Sequence, residues 1–170
     1  MRKELEREYV EYVTARLPVL RRVAYQLTGD VHRGDDVVQQ SITRLYVHWR
    51  RARDADNLDA YVHTMLVRVF LDEKRLGWSR VHLVDAVPEA PDQALADLED
   101  RAVLREALAQ VPPRQRAVLV LRFLHDRSVD EVARILDCIP GTVKSQTSHG
   151  LACLRRLLGD GAHAGNGKGE

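Results

Sequence analysis

The stretch RSVDEVARILDCIPGTVKSQTSHGLACLRRLL, residues 127–158, has the pattern of two short helices joined by a tight turn. Ser128, followed by Glu131 three residues later, forms a capping box that marks the start of the first helix. Pro140 suits the first turn of the second helix, because a missing N–H costs nothing there. Only residues 137–139 separate the two helices. This spacing is typical of a helix-turn-helix.

The second helix has one apolar face and one face of short polar side chains. Its apolar residues recur at helical spacing and are Val143, Leu151, Leu154 and Leu158. The other face groups Gly141, Lys144, Ser145 and Ser148. Short side chains allow a partner to approach closely, and the second helix of such a pair enters the major groove of DNA. The pattern therefore predicts DNA binding, although similar helix pairs also serve as plain packing units in all-helical proteins.

The composition favours a small helical protein without a cofactor. Its 170 residues carry a net charge of +1, with 30% charged and 5% aromatic residues, which excludes a strongly basic nucleic-acid coat protein. The motifs CxxC and HExxH do not occur, so Cys138 and Cys153 are predicted to be reduced thiols rather than a disulfide or a metal site. The charged start MRKELEREYVEYV and the lack of a long apolar run predict a cytoplasmic protein without a signal peptide or membrane span.

A break in composition divides the chain into two halves. Residues 85–100, DAVPEAPDQALADLED, contain two prolines and six acidic residues but no lysine or arginine, which predicts a linker. We expect an all-α fold in which two small helical domains are joined by an acidic linker and followed by a disordered tail: domains 1–80 and 101–158, linker 81–100, tail 159–170. Apolar periodicity predicts the helices before the helix-turn-helix at about 3–28, 34–53, 57–76, 98–110 and 114–124.

Two helices of the first half carry candidate binding surfaces. In GDDVVQQSITRLYVHWRRA, residues 34–52, the apolar stripe is Val38, Ile42, Leu45 and Trp49, and the outer face is Asp35, Asp36, Gln39, Gln40, Thr43 and Arg44. In NLDAYVHTMLVRVFLDEKRLGWSR, residues 57–80, the rings Tyr61, Phe70 and Trp78 alternate with His63, Arg68, Lys74, Arg75 and Arg80. Rings beside cations can bind single-stranded DNA, because bases stack on rings and cations follow the backbone. A solvated helix face and aromatic residues of the core remain the alternatives.

Together the halves resemble the extracytoplasmic-function (ECF) sigma factors of the sigma-70 family, and among them the actinobacterial sigma-E-like group. AYQLTGDVHRGDDVVQQSITRLYVHW is similar to the core-binding part of region 2, and AYVHTMLVRVFLDEKR is similar to its melting and minus-10 part. LREALAQVPPRQRAVLVLRFLHDRSVDEVARIL resembles the start of region 4, and GTVKSQTSHGLACLRRLL resembles its recognition helix. The resemblance covers roughly residues 8–158, and no region 3 domain fits between the halves.

The resemblance implies a dissociable, non-catalytic subunit that directs RNA polymerase core to promoters and assists promoter opening. It implies contact with the clamp helices of the largest polymerase subunit through Asp35, Asp36, Val38, Gln39, Gln40, Thr43 and Arg44. It implies binding of the minus-10 element by Arg51, Arg53, Asn57, Tyr61, His63, Arg68, Lys74 and Arg75. It implies binding of the minus-35 element by Pro140, Gly141, Thr142, Lys144, Ser145, Ser148 and His149. The acidic linker would follow the polymerase's nucleic-acid channel, and an anti-sigma factor stays open as a further partner.

Three positions depart from the pattern of the wider family. Asp137 stands where the turn usually has glycine, and His149 stands where an arginine is common. Ile139 stands where a serine or threonine usually caps the recognition helix, which forfeits about 1 kcal/mol of capping energy. These departures bear on promoter preference and affinity rather than on the fold.

Two other classes of protein stay open on the residues alone. A repressor or activator could use the same helix-turn-helix without polymerase, but it would need a dimerisation or ligand-binding domain, for which the first half shows no pattern. An enzyme would need a nucleophile with its base, a metal-ligand set or a phosphate-binding loop, and the sequence shows none of these patterns.

Overall fold

The computed structural model describes residues 2–75 and 95–164, and within these ranges the regular elements are helical. The first half contains α1 (Lys3–Thr28), α2 (Val31–Val47), α3 (Trp49–Arg53) and α4 (Leu58–Arg75). The second half contains α5 (Leu95–Gln110), α6 (Pro113–Leu119) with a π-helical turn (Val120–Leu124), α7 (Val129–Leu136) and α8 (Pro140–Ala164). The expected all-α fold is confirmed.

A tight turn between α1 and α2 sets the geometry of the first half. Gly29 ends α1 in the left-handed region, with φ 72°, and its N–H donates to the carbonyl of Tyr25. The carboxylate of Asp30 then accepts from the N–H groups of His32 and Arg33, which caps α2. Helix α2 therefore begins at Val31, three residues earlier than apolar periodicity indicates.

Buried residues of the two halves form one continuous cluster. The first half contributes Leu20, Leu27, Val37, Leu45, Leu66 and Phe70, among others, and the second half contributes Val118, Leu121, Val132 and Leu136. Helix α7 packs on α4, and α6 contacts both α1 and α4. The two helical halves that the sequence predicts therefore share a core.

The helix-turn-helix forms as its residues predict. The hydroxyl of Ser128 accepts from the N–H of Glu131 at 3.1 Å, and Asp137 adopts the left-handed conformation of the turn, with φ 53°. Helix α8 packs on α5, α6 and α7. It approaches α6 so closely that a Cβ on Gly150 would lie 3.1 Å from Leu119 Cδ1, so a larger residue there would require the Leu119 side chain to shift.

The ends of the second half differ from the sequence-based expectation. Helix α8 continues to Ala164, so residues 159–164 extend it instead of forming part of a disordered tail. Once a helix is nucleated, each further residue adds a backbone hydrogen bond, and a glycine-rich composition does not prevent this extension. Helix α5 begins at Leu95, inside the expected linker. Residues 76–94 and 165–170, which include Trp78, Arg80 and most of the expected linker, lie outside the described residues.

Arg116 joins the two halves through hydrogen bonds to backbone carbonyls. This side chain, only 3% exposed, donates to the carbonyls of Leu27 in α1, Ala109 in α5 and Val111 after α5, at 2.7, 2.8 and 2.9 Å. Burial, with a smaller effect of Arg33, lowers the pKa of Arg116 to about 10. The guanidinium therefore remains charged at neutral pH and spans the contact between the halves, which we call the seam.

Two further polar contacts cross the seam. Arg127 Nη2 lies 2.7 Å from His63 Nδ1, and His125 Nε2 lies 2.6 Å from Gln26 Oε1. Burial, followed by the charge of Arg127, lowers the pKa of His63 to about 4, and burial also lowers the pKa of His125. His63 is therefore neutral at pH 7 and can accept the hydrogen bond from Arg127.

Replacing Arg116 with alanine should destabilise the fold strongly. Arg116→Ala leaves three carbonyls, two of them in buried hydrogen bonds, without their charged donor, and we expect the free energy of unfolding in urea to fall by about 3 kcal/mol. Arg134→Ala is the matched control, because Arg134 is exposed on α7. It should change the free energy of unfolding by less than about 0.5 kcal/mol. Equal effects of the two substitutions would contradict the role of Arg116.

Stability should fall as the pH is lowered through the titration range of His63. The unfolded chain binds a proton near pH 6.5, whereas the buried ring resists protonation until about pH 4, so its contribution is complete above pH 6.5 and is lost below it. We expect this group to remove about 2 kcal/mol of unfolding free energy between pH 7.5 and pH 5. His63→Gln should lose less than the wild type over the same interval, with a remaining dependence from His125. Parallel curves for the two proteins would contradict this assignment.

Candidate nucleic-acid and protein interfaces

The first turns of α8 present a polar surface next to the helix-turn-helix turn. Val143 and Thr147 are buried beneath it, and the Thr147 hydroxyl donates to the carbonyl of Val143 at 2.7 Å. Thr142 is half-buried, and the other residues expected to bind the minus-35 element are exposed: Pro140, Gly141, Lys144, Ser145, Ser148 and His149. Ile139, at the position of the missing cap, is 70% exposed. We call the exposed residues of 140–149 the α8 face.

The outer side of α2 forms a second polar surface. Asp36, Gln39, Gln40, Thr43 and Arg44 are exposed, and Asp35 is half-buried. Contacts to the neighbouring helices are weak or exposed: Arg21–Asp35 at 3.6 Å, Arg44–Asp72 at 3.9 Å, and Gln40 Nε2 to Glu73 Oε1 at 2.9 Å. Exposed ion pairs contribute little to stability, so these side chains can change partners at small cost. We call this surface the α2 face.

The candidates for minus-10 recognition lie between α3 and the end of α4, and they differ in exposure and in contacts. Arg51 and Arg68 are exposed, and Tyr61 is half-buried against the core. Arg53 pairs with Glu8 at 3.3 Å. The side chain of Asn57 accepts from the N–H of Ala60 at 3.0 Å and so supports the start of α4. Lys74 and Arg75 end α4, and their side chains lie outside the described residues.

Two of the expected contact residues are buried. Val38 is 2% exposed and belongs to the core cluster, so it supports the α2 face from beneath and cannot touch a partner. His63 is 8% exposed, and its Nδ1 lies 2.7 Å from Nη2 of Arg127 in the second half. The apolar stripe of α2 includes Val38, so the pattern itself already favoured burial at that position.

The seam brings together side chains that sequence reasoning did not single out. Arg127 and His125 approach α4 and α1 from the second half, across a small cleft that is also lined by Tyr12, Arg16 and Asp59. The Tyr12 hydroxyl donates to Asp59 Oδ1 at 2.7 Å, and Arg16 Nη2 lies 2.8 Å from Asp59 Oδ2. Burial and the bond to Asp59 raise the pKa of Tyr12. Arg127 and His63 are 64 positions apart in the sequence, and no local pattern links them.

Within the described ranges, no group of three or more histidine, cysteine, aspartate or glutamate side chains is arranged to hold a metal ion. The thiols of Cys138 and Cys153 are free. Among the described helices, none combines the length and apolar character needed to cross a bilayer.

Comparison with known families finds two matching regions in chain order. Residues 12–80 match the family described as sigma-70 region 2, which covers α2 to α4 and most of α1. Residues 101–154 match the family described as sigma-70, region 4, which includes the helix-turn-helix. The two matches therefore contain the α2 face and the α8 face, respectively.

Whole-chain relatives agree with these matches. The chain is 34% identical over 157 residues to the RNA polymerase sigma-E factor of Streptomyces coelicolor, covering 89% of this chain and 86% of that protein. It is 34% identical over 147 residues to the ECF RNA polymerase sigma factor SigL of Mycobacterium tuberculosis, covering 82% of each. Its fold matches the sigma factor RpoE of Bartonella quintana, solved in complex with the anti-sigma factor NepR, with a TM-score of 0.72 and 25% identity over 89% of this chain and 96% of that one.

Both sigma regions are present in chain order, and relatives that are 34% identical cover 82–89% of the chain. Sigma factors are generally non-enzymatic, and they bind RNA polymerase and promoter DNA. The chain therefore belongs to the sigma-70 family, within its ECF group, and is an RNA polymerase sigma factor that acts in promoter-specific transcription initiation.

Proposed function

We propose that this sigma factor works through three surfaces: the α8 face reads the minus-35 element, the α2 face binds polymerase core, and α4 with the preceding loop captures the opened minus-10 element. The observation that carries the proposal is the α8 face, where small and basic side chains are exposed at the start of a recognition helix. The protein acts without catalysis of its own, in the cytoplasm, where the polymerase is.

The α8 face has the properties that major-groove recognition needs. Its first turns carry a cation, Lys144, and the hydroxyls of Ser145 and Ser148, which can donate to or accept from base edges. Gly141 adds no side chain, so the backbone can come close to the DNA. The buried Val143 and Thr147 fix the rotation of the helix, so that the polar residues point outward together.

The α2 face is suited to a polar protein partner. Its carboxylates, amides and arginine offer both donors and acceptors, and their existing ion pairs can be exchanged for contacts with another protein at small cost. On the family resemblance, we propose the clamp helices of the largest polymerase subunit as that partner. Val38 contributes by holding the helix in place from the core side.

Minus-10 capture is assigned to the exposed cations and the ring around the start of α4. Arg51 and Arg68 can follow the phosphate backbone, and Tyr61 offers a ring on which an unpaired base can stack. We assign to Arg53, Lys74 and Arg75 the same electrostatic role, and to Asn57 the support of the loop geometry through its cap. His63 can take part only when the second half moves away from it.

A protein that resembles the anti-sigma factor NepR in function is proposed as a further partner. The fold of this chain follows, over 89% of its length, a sigma factor that was solved in complex with NepR. Such a partner would block transcription when it is added to a reconstituted reaction. Without it, the chain would keep its affinity for isolated DNA and for core.

In vitro transcription with purified polymerase core tests the proposal as a whole. The chain should make core initiate at defined promoters, whereas core alone should not. A repressor or activator that uses the same helix-turn-helix would bind DNA without core and would not support initiation by it. Initiation that does not depend on the added chain would overturn the proposal.

Substitutions on the α2 face should weaken core binding without unfolding the protein. Asp36→Arg combined with Gln39→Ala changes two exposed side chains, so stability should change by less than about 1 kcal/mol. We expect core pull-down to fall at least tenfold, because a reversed charge at an interface repels its former partner. Arg7→Ala, an exposed change at the start of α1, is the control. Unchanged pull-down by the double variant would remove the α2 face from the interface.

Substitutions on the α8 face should weaken binding of the minus-35 element. If the Lys144 ammonium contacts a base edge, Lys144→Ala should weaken the free energy of DNA binding by about 1–3 kcal/mol. If the ammonium contacts a phosphate, the same change should reduce by about one the slope of log binding constant against log salt concentration. Ser148→Ala should reduce the free energy of DNA binding by less than Lys144→Ala does, because a neutral hydrogen bond is weaker than a charged one. Footprinting and promoter titrations at several salt concentrations separate these cases. Wild-type behaviour of both variants would mean that another surface reads this element.

A further inference from the structure

We infer that the small cleft at the seam is a binding site for a small anion that carries a phosphate group. The polar side chains that line the cleft come from α1, α4 and the segment before α7: Tyr12, Arg16, Asp59, His63, His125 and Arg127. None of these residues belongs to the α2 face or the α8 face, so the anion would be a further binding partner of the chain.

The cleft has the lining of a small-molecule site. Val19, Leu20 and Val62 give it apolar walls beside the polar side chains, and it encloses about 210 Å³. Sites for drug-sized ligands enclose about 300–1,000 Å³ and likewise combine apolar walls with a few convergent polar groups. The smaller volume of this cleft therefore suits a ligand with few atoms, such as a phosphate ion or the phosphate ester of a short carbon chain.

Two arginines supply positive charge to the cleft, one from each half. Arg16 Nη2 lies 2.8 Å from Asp59 Oδ2, so its charge is balanced within the first half. The counter-charge of Arg127 is weaker, because Glu131 Oε2 lies 3.5 Å from Nη1 and the Glu131 side chain is 42% exposed. Among the described residues, the buried Nε of Arg127 has no hydrogen-bond partner. A guanidinium has five N–H donors, so Arg127 retains both charge and donors for an oxyanion.

Two histidine rings lie beside Arg127 and can become further donors. The ring centroids of His63 and His125 are 6.4 Å apart, and Arg127 Nη2 lies 2.7 Å from His63 Nδ1. Burial, and after it the charge of Arg127, lowers the pKa of both rings. An anion in the cleft would offset the charge of Arg127 and raise both pKa values, because a nearby opposite charge favours the protonated ring. Each ring would then offer N–H donors to the anion.

The charged groups around the two rings are mostly positive. The groups that act on His63 are Arg127, His125, Arg16 and Asp59, and those that act on His125 are Arg127, Arg22 and Asp126. Each set contains two arginines and one carboxylate. Because Asp59 is already bonded to Arg16 and to the Tyr12 hydroxyl, it can balance little of the remaining positive charge. The electrostatics of the cleft therefore favour an anion.

A phosphate group fits this arrangement better than a carboxylate does. A phosphate ester carries about −1.5 to −2 charges at pH 7 and three acceptor oxygens that point in different directions. The donors of the cleft likewise come from different elements, with His125 and Arg127 before α7 and His63 on α4. The two oxygens of a carboxylate lie in one plane and match a single arginine fork, so they would leave the histidines without an acceptor.

Binding of sulfate to the full chain at constant ionic strength tests the inference. Sulfate has the shape of phosphate but does not titrate near neutral pH, so a change of its affinity with pH reports on the protein. The pKa of His63 is about 4 without the anion, and we expect about 6.5 with it. The association constant from calorimetry should therefore rise about tenfold between pH 7.5 and pH 5.5, with uptake of about one proton at pH 5.5. An affinity that stays constant over this range, without proton uptake, would overturn the inference.

Substitutions in the cleft separate this site from binding to exposed cations. Arg127→Gln removes the positive charge and should weaken sulfate binding at pH 5.5 at least tenfold. His63→Gln should remove most of the rise in affinity toward low pH. Arg134→Gln is the matched control, because Arg134 is exposed on α7, and it should change neither quantity. Equal weakening by Arg127→Gln and Arg134→Gln would show that sulfate binds to exposed cations and would rule out the cleft.

Two phosphate ligands distinguish the source of the group. Inorganic phosphate and glycerol 3-phosphate should both bind the unsubstituted chain at pH 7.5, and the tighter of the two shows whether the site serves the free ion or a phosphorylated small molecule. Acetate should bind at least tenfold more weakly than either. Acetate binding as tight as that of both phosphates would contradict a phosphate site. These measurements and the sulfate titration need no variant, so they decide the question even where Arg127→Gln or His63→Gln does not fold.

Discussion

The guanidinium of Arg116 is the point on which the observed arrangement of the two halves depends. It is buried, and its charge is stabilised by three backbone carbonyls from both sides of the seam. An ion in such a place is costly unless its donors are satisfied, so the end of α1 and the end of α5 must both stay in position. The positions of α6 and α7 follow, because the shared apolar cluster continues from α6 into both halves.

The surfaces proposed to bind partners have the opposite character. The α2 face is held by ion pairs between exposed side chains, and the α8 face consists of short polar residues above buried Val143 and Thr147. Contacts of this kind can be replaced by contacts with polymerase or DNA at small cost. A rigid core with exchangeable outer contacts lets the helices keep their shape while their partners change.

Local signals in the sequence predicted the helices and the helix-turn-helix. Ser128, Asp137 and Pro140 act where their chemistry indicated, and the exposed positions of α8 follow from its apolar stripe. The start of α2 was missed because Asp30 caps it outside the apolar pattern. The burial of His63 could not be predicted, since its partner Arg127 is 64 positions away and a single pair of polar residues leaves no periodic trace. The roles of individual side chains toward DNA and core remain predictions.

The seam also sets the cost of any rearrangement of the two halves. Separation would expose the apolar residues that the halves share and would leave the Leu27 carbonyl without its donor, so it is unfavourable in the free chain. The seam therefore holds the halves in one arrangement, and only a partner whose binding free energy differs between the packed and the separated chain by more than this cost could separate them.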